Sequence, residues 1–333
     1  LSVEGPAGGG TAAARRHAET DRLPAPIPGG PDAPPIVCDF STRAMDTALF
    51  PFATWARLGR AVLTEEGASL LNASHPQGDP ALREAIADGL YRRRGVRAEA
   101  DQIVVGAGLE YLLGLIVQLL GHTGLYAAED PGYGKIPRIL QSHGVRVMPV
   151  PLDGEGLRID RLRESRAGIV YVTPSHQFPT GTVMSAGRRA ALLGWAEEAP
   201  GRIIIEDDYD SEFRFAGRPI PALQRMGGAR VVYLGAFTKS LAPALRIGYM
   251  VLPPALAAEF RRRFLFYACT VSTFEQRTLL RFLTGGYYER HVNRLRAACR
   301  AKRDALLAAI AAGPLGEAAA PSGHEAGLHL LLR

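Results

Sequence analysis

Short apolar runs alternate with amphipathic stretches through the middle of this chain, and that alternation restricts the fold more than any other feature. QIVVGAG (102–108) leads into LEYLLGLIVQLLG (109–121), and GLYAAED (124–130) into KIPRILQSHG (135–144). VRVMPVPLD (145–153) and GIVYVTP (168–174) follow, then SAGRRAALLGWAEEA (185–199). RIIIEDDYD (202–210), RVVYLGAFTK (230–239) and RIGYMVLPP (246–254) close the series. The apolar runs have strand length and little polar alternation, so both of their faces should be buried. Strands of that kind separated by helices predict an α/β fold with a mostly parallel sheet and helices on both faces.

The flanks differ. Residues 1–35 are rich in Pro, Gly and Ala (GPAGGG, PAPIPGGPDAPP) and read as a flexible linker. Residues 36–60 are expected to form an N-terminal arm, and Phe50-Pro51 precedes the helical pattern FATWARLGRAVL. A turn, HPQGDP, then precedes the helix ALREAIADGLYRRRG, with Asp79 as N-cap before Pro80. Beyond the last strand the pattern is helical to about residue 313. The expected organisation is therefore a linker (1–35), an arm (36–60), a large domain (61–250) and a smaller α-rich domain (251–333). A chain of 333 residues, 47% hydrophobic and 22% charged, has the size and composition for this.

Several classes are set aside. LGLIVQLL (113–120) is far below spanning length, and no charged-then-apolar leader opens the chain, so no membrane partner is expected. Cys38, Cys269 and Cys299 fit no metal spacing and no disulfide framework. No metal is therefore expected, and a reducing cytoplasm is the expected setting. The net charge of +6 comes from arginines spread along helices, as in Arg92-Arg93-Arg94 and Arg261-Arg262-Arg263, which read as solvated faces. The chain opens on Leu1 and ends on Leu330-Leu331-Leu332-Arg333, which suggests a piece of a longer protein with something once tethered before the linker.

In open α/β sheets ligands bind beyond the carboxyl ends of the strands. After QIVV comes Gly106-Ala107-Gly108 and a helix, after LYAAED comes Pro131-Gly132-Tyr133, and after IVYVTP comes Ser175-His176-Gln177-Phe178. After IIIE come Asp207, Asp208 and Tyr209, and after VVYLGAF come Thr238 and Lys239, with Arg246 seven residues later. Singly, each has an ordinary explanation: close packing, a helix cap, a solvated lysine, a loop hydrogen bond from His176. At successive strand ends those explanations fail jointly. Together the residues suit pyridoxal 5′-phosphate. A glycine-opened helix and an arginine bind its phosphate. A carboxylate protonates its ring nitrogen, a tyrosine bonds its 3-oxygen, an aromatic stacks on it and a lysine forms its Schiff base.

EDPGY (129–133), TPSHQFPTG (173–181), IIEDDYDSEFRFAGRPIPALQ (204–224) and YLGAFTKSLAPALRIGYMVLPPAL (233–256) resemble fold-type-I, PLP-dependent aminotransferases. In particular they are similar to the aminotransferase-like domain of MocR-type regulators of the GntR superfamily. HPQGDPALREAIADGL (75–90) and VSTFEQRTLLRFLTGGYYERHVNRLR (271–296) fit the same family, and the resemblance spans about residues 36–333. In that family a winged-helix DNA-binding head precedes a linker and this domain; residues 1–35 resemble that linker.

The resemblance implies roles. Lys239 forms the internal aldimine, Asp207 pairs with the pyridine nitrogen, Tyr209 bonds the 3-oxygen and Tyr133 stacks on the ring. Arg246 and Thr238 hold the phosphate with the N–H groups around Ala107, Gly108 and Leu109. Phe178 stands where ordinary aminotransferases carry an Asn, a replacement usual in MocR-type domains. Ala236 and Ala73 stand where family members often place hydroxyl groups that reach phosphate, and the early Gly-x-Pro-Asp pattern is absent from STRAMD (41–46). Lys135 lies in a segment where one branch carries a substrate-reading arginine. The chain stops before the region expected to supply the arginine for a substrate carboxylate. These features imply a homodimeric effector domain of a transcription regulator that responds to an amine, an amino acid or PLP itself, and that reaches DNA only through its head. The alternatives are a working class I/II aminotransferase, with Lys239 as general base, and a dimerisation scaffold with a degenerate pocket.

Overall fold

A computed structural model describes residues 46–215 and 221–333. The expected linker (1–35), the first ten residues of the arm (36–45) and most of STRAMD lie outside the described residues.

The apolar runs form strands where expected: β1 (Ile103–Gly106), β2 (Leu125–Asp130), β3 (Arg146–Asp153), β4 (Gly156–Leu157), β5 (Ile169–Val172), β6 (Ile203–Asp207), β7 (Val231–Ala236) and β8 (Gly248–Val251). They make one sheet in the order β1-β8-β7-β6-β5-β2-β3-β4. Strands β7, β6, β5, β2 and β3 run parallel. β8 runs antiparallel to both its neighbours, β7 and β1. The β7–β8 connection is too short for a crossover helix, which forces the reversal.

Alternation along each strand splits the core into layers. Val104, Tyr171, Ile203, Ile205, Leu234 and Met250 face α3 (Leu109–Leu120), α4 (Lys135–Ser142) and α8 (Pro254–Phe264). On the opposite face, Val170, Val172, Ile204 and Val231 pack with α5 (Ile159–Glu164) and with Leu192 and Trp195 of α6 (Ala186–Glu197). Also on that side, Ile103, Val105, Tyr233 and Tyr249 meet Leu58 of α1 (Phe52–Glu66) and Leu82, Ile86 and Leu90 of α2 (Pro80–Arg94). Helices α9 (Thr273–Thr284) and α10 (Tyr287–Ala312) complete that layer with Leu279, Phe282, Tyr288 and Val292. Trp195 is fully buried, and such a side chain contributes about 3–5 kcal/mol.

Local signals also hold. The Asp79 carboxylate accepts the Leu82 amide at 3.1 Å and caps α2, with Pro80 in its first turn, and Ser185 caps α6. A last helix of the parallel layer, α7 (Leu223–Gly227), is capped from outside itself: buried Glu206 accepts the Leu223 and Gln224 amides, both at 2.9 Å. β9 (Pro321–Ser322) and β10 (Leu331–Leu332) form a small separate ribbon. Among the described residues no helix is long and apolar enough to cross a membrane.

One expectation from the arginine runs is corrected. The side chains of Arg92, Arg93 and Arg94 are 60%, 23% and 10% exposed, so only the first lies on a solvated face. Arg93 lies over the Tyr288 ring, and Arg94 reaches inward to Asp208.

Candidate functional site

Register places the site. Gly106 pairs with Gly248, which pairs with Ala236, while Asp207 pairs with Leu234 one strand over. Because β8 is reversed, the residues before it emerge at the sheet edge where β1, β6 and β7 end. Gly108, Asp207, Tyr209, Thr238, Lys239 and Arg246 therefore leave the sheet on one side.

The phosphate-type elements meet directly. Gly108, at φ +86°, is the N-cap of α3, and a Cβ there would lie 2.6 Å from Arg246 Nη2. Only glycine fits both the backbone and the neighbour. The Leu109 end of α3 presents its opening amides to the same spot. Arg246, in the left-handed region at φ +52°, donates to the Ala107 carbonyl at 3.1 Å and to Glu110 at 2.6 Å. The Ala107 amide, expected to face a ligand, donates instead to the Thr270 hydroxyl at 2.9 Å. Glu110 also takes the Lys135 ammonium. Partial burial opposes its charge, but the hydrogen bonds from Lys135 and Arg246 win and hold the carboxyl at about 2. Sequence patterning gave no hint of Glu110 or Thr270.

The acid end of β6 supplies four different functions. Glu206 caps α7, and burial with Asp208 beside it lifts its carboxyl to about 7. Asp207 is 7% exposed and accepts the Tyr171 hydroxyl; burial outweighs that bond and raises its carboxyl to about 7. Asp208 pairs with Arg94 at 2.6 Å and accepts the Tyr233 hydroxyl at 2.6 Å. Asp210 faces His176, with Oδ2 2.9 Å from Nδ1. Tyr209 donates to the His176 carbonyl at 2.9 Å, and burial together with the Asp210 and Asp207 charges drives its hydroxyl far above its usual range.

Lys239 is half-buried. Burial pulls its amine below the usual lysine range, and Asp210 offsets part of that pull. Its loop is pinned from both sides. The Phe237 amide bonds the Ile247 carbonyl at 3.0 Å, and Ser240 is held by the Tyr288 hydroxyl at 2.9 Å and by His291 at 2.8 Å. Thr238 is half-buried beside it.

Tyr133 is 43% exposed and meets Phe178 edge-on at 5.5 Å. The 173–181 loop carrying Phe178 rests on a buried polar network. Glu129 accepts the Thr173 hydroxyl at 2.6 Å, and Gln177 donates to the Pro131 carbonyl at 2.9 Å and accepts from Thr180 at 2.6 Å. Burial lifts Glu129 to about 7 against those bonds. His329 reaches the same pocket, 4.3 Å from the His176 ring and 5.0 Å from Phe178. Nothing in its local sequence marks it.

The donor set can be tested against a phosphorylated pyridine aldehyde. An anion fits the α3 N-terminus and Arg246, where a Cβ at position 108 would intrude. A buried carboxylate held near neutrality can share a proton with a ring nitrogen. An amine with a depressed pKa can attack an aldehyde. The residues fit.

Comparison with known proteins agrees. The family model for aminotransferase class I and II matches residues 36–324. The HTH-type transcriptional regulator YdeL of Bacillus subtilis is 40% identical over 295 residues, covering 88% of this chain and 63% of that protein. The HTH-type pyridoxine biosynthesis transcriptional regulator PdxR of Corynebacterium glutamicum is 34% identical, covering 81% of this chain and 58% of its own length. This chain thus spans less than two thirds of both relatives. Among solved structures, kynurenine aminotransferase from Pyrococcus horikoshii superposes with a TM-score of 0.73 at 28% identity, over 85% of this chain and 72% of that one.

Proposed function

Since the chain belongs to the aminotransferase class I and II family, we propose that it is the PLP-binding effector and dimerisation domain of a MocR-type transcription regulator. The observation that carries this is the convergence of Gly108, Asp207, Tyr209, Lys239 and Arg246 on one sheet edge, set by strand register. The names of its relatives favour a regulator over a free-standing enzyme.

Within this proposal the Lys239 amine would hold the cofactor through its aldehyde group, and the bound group would supply an electron-withdrawing ring for chemistry on an incoming amine. Asp207 keeps a proton at the ring nitrogen. Tyr209 orients the 3-oxygen, and Tyr133 covers the ring face. Arg246, Thr238 and the amides of Ala107, Gly108 and Leu109 hold the phosphate, which requires Arg246 to exchange Glu110 for the anion. Residues 61–250 serve as the large domain and 251–333 as part of the small one. The assembly is a cytoplasmic homodimer, and DNA is reached through a winged-helix head preceding the linker. An amine, an amino acid or PLP itself is the signal.

The test is the visible absorbance of the chain titrated with PLP. A band in the wild-type protein that is absent from Lys239→Ala is the expected result. Equal spectra from the two proteins overturn the assignment. A working aminotransferase is the second reading, favoured by the burial-depressed Lys239 amine, which is suited to act as a base. Single-turnover conversion of PLP to pyridoxamine phosphate by an added amino acid, with release of the matching 2-oxo acid, separates the two.

A further inference from the structure

We propose that His176, Asp210 and His329 form a binding site for a divalent transition-metal ion of the zinc class. The three residues come from the loop after β5, the segment after β6 and the segment between β9 and β10. One ligand atom from each lies within 4.8 Å of the others. Zinc ligands sit about 2.0–2.2 Å from the ion, so a small rearrangement, with His329 closing in and the 2.9 Å His176–Asp210 contact opening to admit the ion, completes a two-histidine, one-carboxylate set. The His176 and Asp210 side chains are each 1% exposed, so this is a built interior site.

His176 Nδ1 lies 2.9 Å from Asp210 Oδ2, and its Nε2 lies 3.3 Å from the Gly323 carbonyl. With the proton on Nε2, held by that carbonyl, Nδ1 and the Asp210 carboxylate are two ligand atoms side by side. His329 Nε2 is buried and has no hydrogen-bond partner among the described residues, which leaves that nitrogen available to a ligand. A second proton on His176 satisfies Nδ1 alone; a metal ion engages His176, Asp210 and His329 at once.

The surroundings suit an ion. The Tyr209 hydroxyl stands 3.3 Å from His176 Nδ1, next to the fourth coordination position. The backbone at Gly327 closes one side. A Cβ there would fall 1.9 Å from His176 Nδ1 and 2.5 Å from Asp210 Oδ2, so no side chain can share that space. Spacing-based sequence reading cannot detect this set, because its members lie 34 residues and more apart.

The cluster adjoins the proposed cofactor pocket, Asp210 acting on the Lys239 amine, so its test uses the tag-free chain without added PLP. The protein is stripped with chelator and titrated with Zn²⁺ by calorimetry. One equivalent should bind. Asp210→Asn, which keeps the shape and one oxygen, and His329→Ala, near the chain end, should each weaken binding by about 100-fold or more. If Asp210→Asn does not fold, the His329→Ala titration decides. A wild-type protein that takes up no zinc, or a folded variant that binds it as tightly as wild type, overturns the proposal.

Discussion

Arg94→Ala should be among the most damaging single changes on the surface-facing helices, although its neighbours in sequence look equivalent. Arg94 Nε lies 2.6 Å from Asp208 Oδ2 and its Nη2 donates to Ser175 at 2.8 Å. The Asp208 side chain is fully buried. Truncating the arginine leaves that carboxylate inside with neutral hydroxyls, those of Tyr233, Ser211 and Ser175, to solvate it. Breaking one side of a buried pair costs about 3–5 kcal/mol, and the remaining hydroxyls place this case at the lower end. A loss near 3 kcal/mol corresponds to a drop of about 6–12 °C in Tm for a domain of this class.

The pH dependence provides a second, sharper check. In the native protein burial works against the Asp208 charge, but Arg94 outweighs it and holds the carboxyl below its ordinary value. A depressed acid contributes stability above its unfolded pKa and loses it as pH falls through the folded one. Without Arg94, burial is opposed only by the hydroxyl hydrogen bonds and raises the folded value. The deficit of the variant should therefore be largest near pH 7 and shrink toward about pH 4, where Asp208 takes up a proton in both states. Urea unfolding followed by far-UV circular dichroism at several pH values measures this directly. Arg92→Ala, at a side chain 60% exposed, should stay within about 0.5 kcal/mol of wild type. A loss below about 1 kcal/mol for Arg94→Ala at pH 7, or a deficit that does not change with pH, would refute the reasoning. Adding Asp208→Asn to Arg94→Ala should restore a good part of the lost stability, since the orphaned charge goes with it.

Other outcomes follow from the same geometry. Gly108→Ala forces a side chain into φ +86° and against Arg246; it should cost about 1 kcal/mol or more in unfolding free energy and weaken PLP uptake in the spectral titration. Glu129 is raised to about 7 by burial, so its stabilising preference for the proton is present below about pH 4.5 and lost as pH rises through 7. Glu129→Gln should therefore gain on wild type by roughly 1–3 kcal/mol between pH 5 and pH 8 in chemical denaturation, and a constant difference would contradict the burial argument. Trp195→Ala should lose about 3–5 kcal/mol from the parallel-sheet core, read as a lower urea midpoint at unchanged slope.

The main features of the fold were legible because burial on both faces leaves a trace: β5 is an unbroken apolar run, β6 opens with three isoleucines, and the two occupy the middle of the sheet. The reversal of β8 was not legible, since a strand's direction is set by the length of its connection and its hydrogen-bond partners rather than by its composition. That reversal nonetheless brings Arg246 to Gly108, so the register, not the motif, assembles the anion end of the site. The acids after β6 show the limit from the other side. Glu206, Asp207, Asp208 and Asp210 are the same chemistry within five positions, yet one caps a helix, one faces Tyr171, one neutralises Arg94 and one faces a histidine. Their separate roles come from residues 17 to 114 positions away in the chain. A strand's alternation turns neighbours to opposite faces, so a run of like residues is the cheapest way to place charge on both sides of one sheet edge at once. Such a run at a strand end is therefore a signal that several buried partners wait elsewhere in the chain, and here the partner of Asp208 was already present in the arginine run of α2, as the residue that a solvated-face interpretation explains least well.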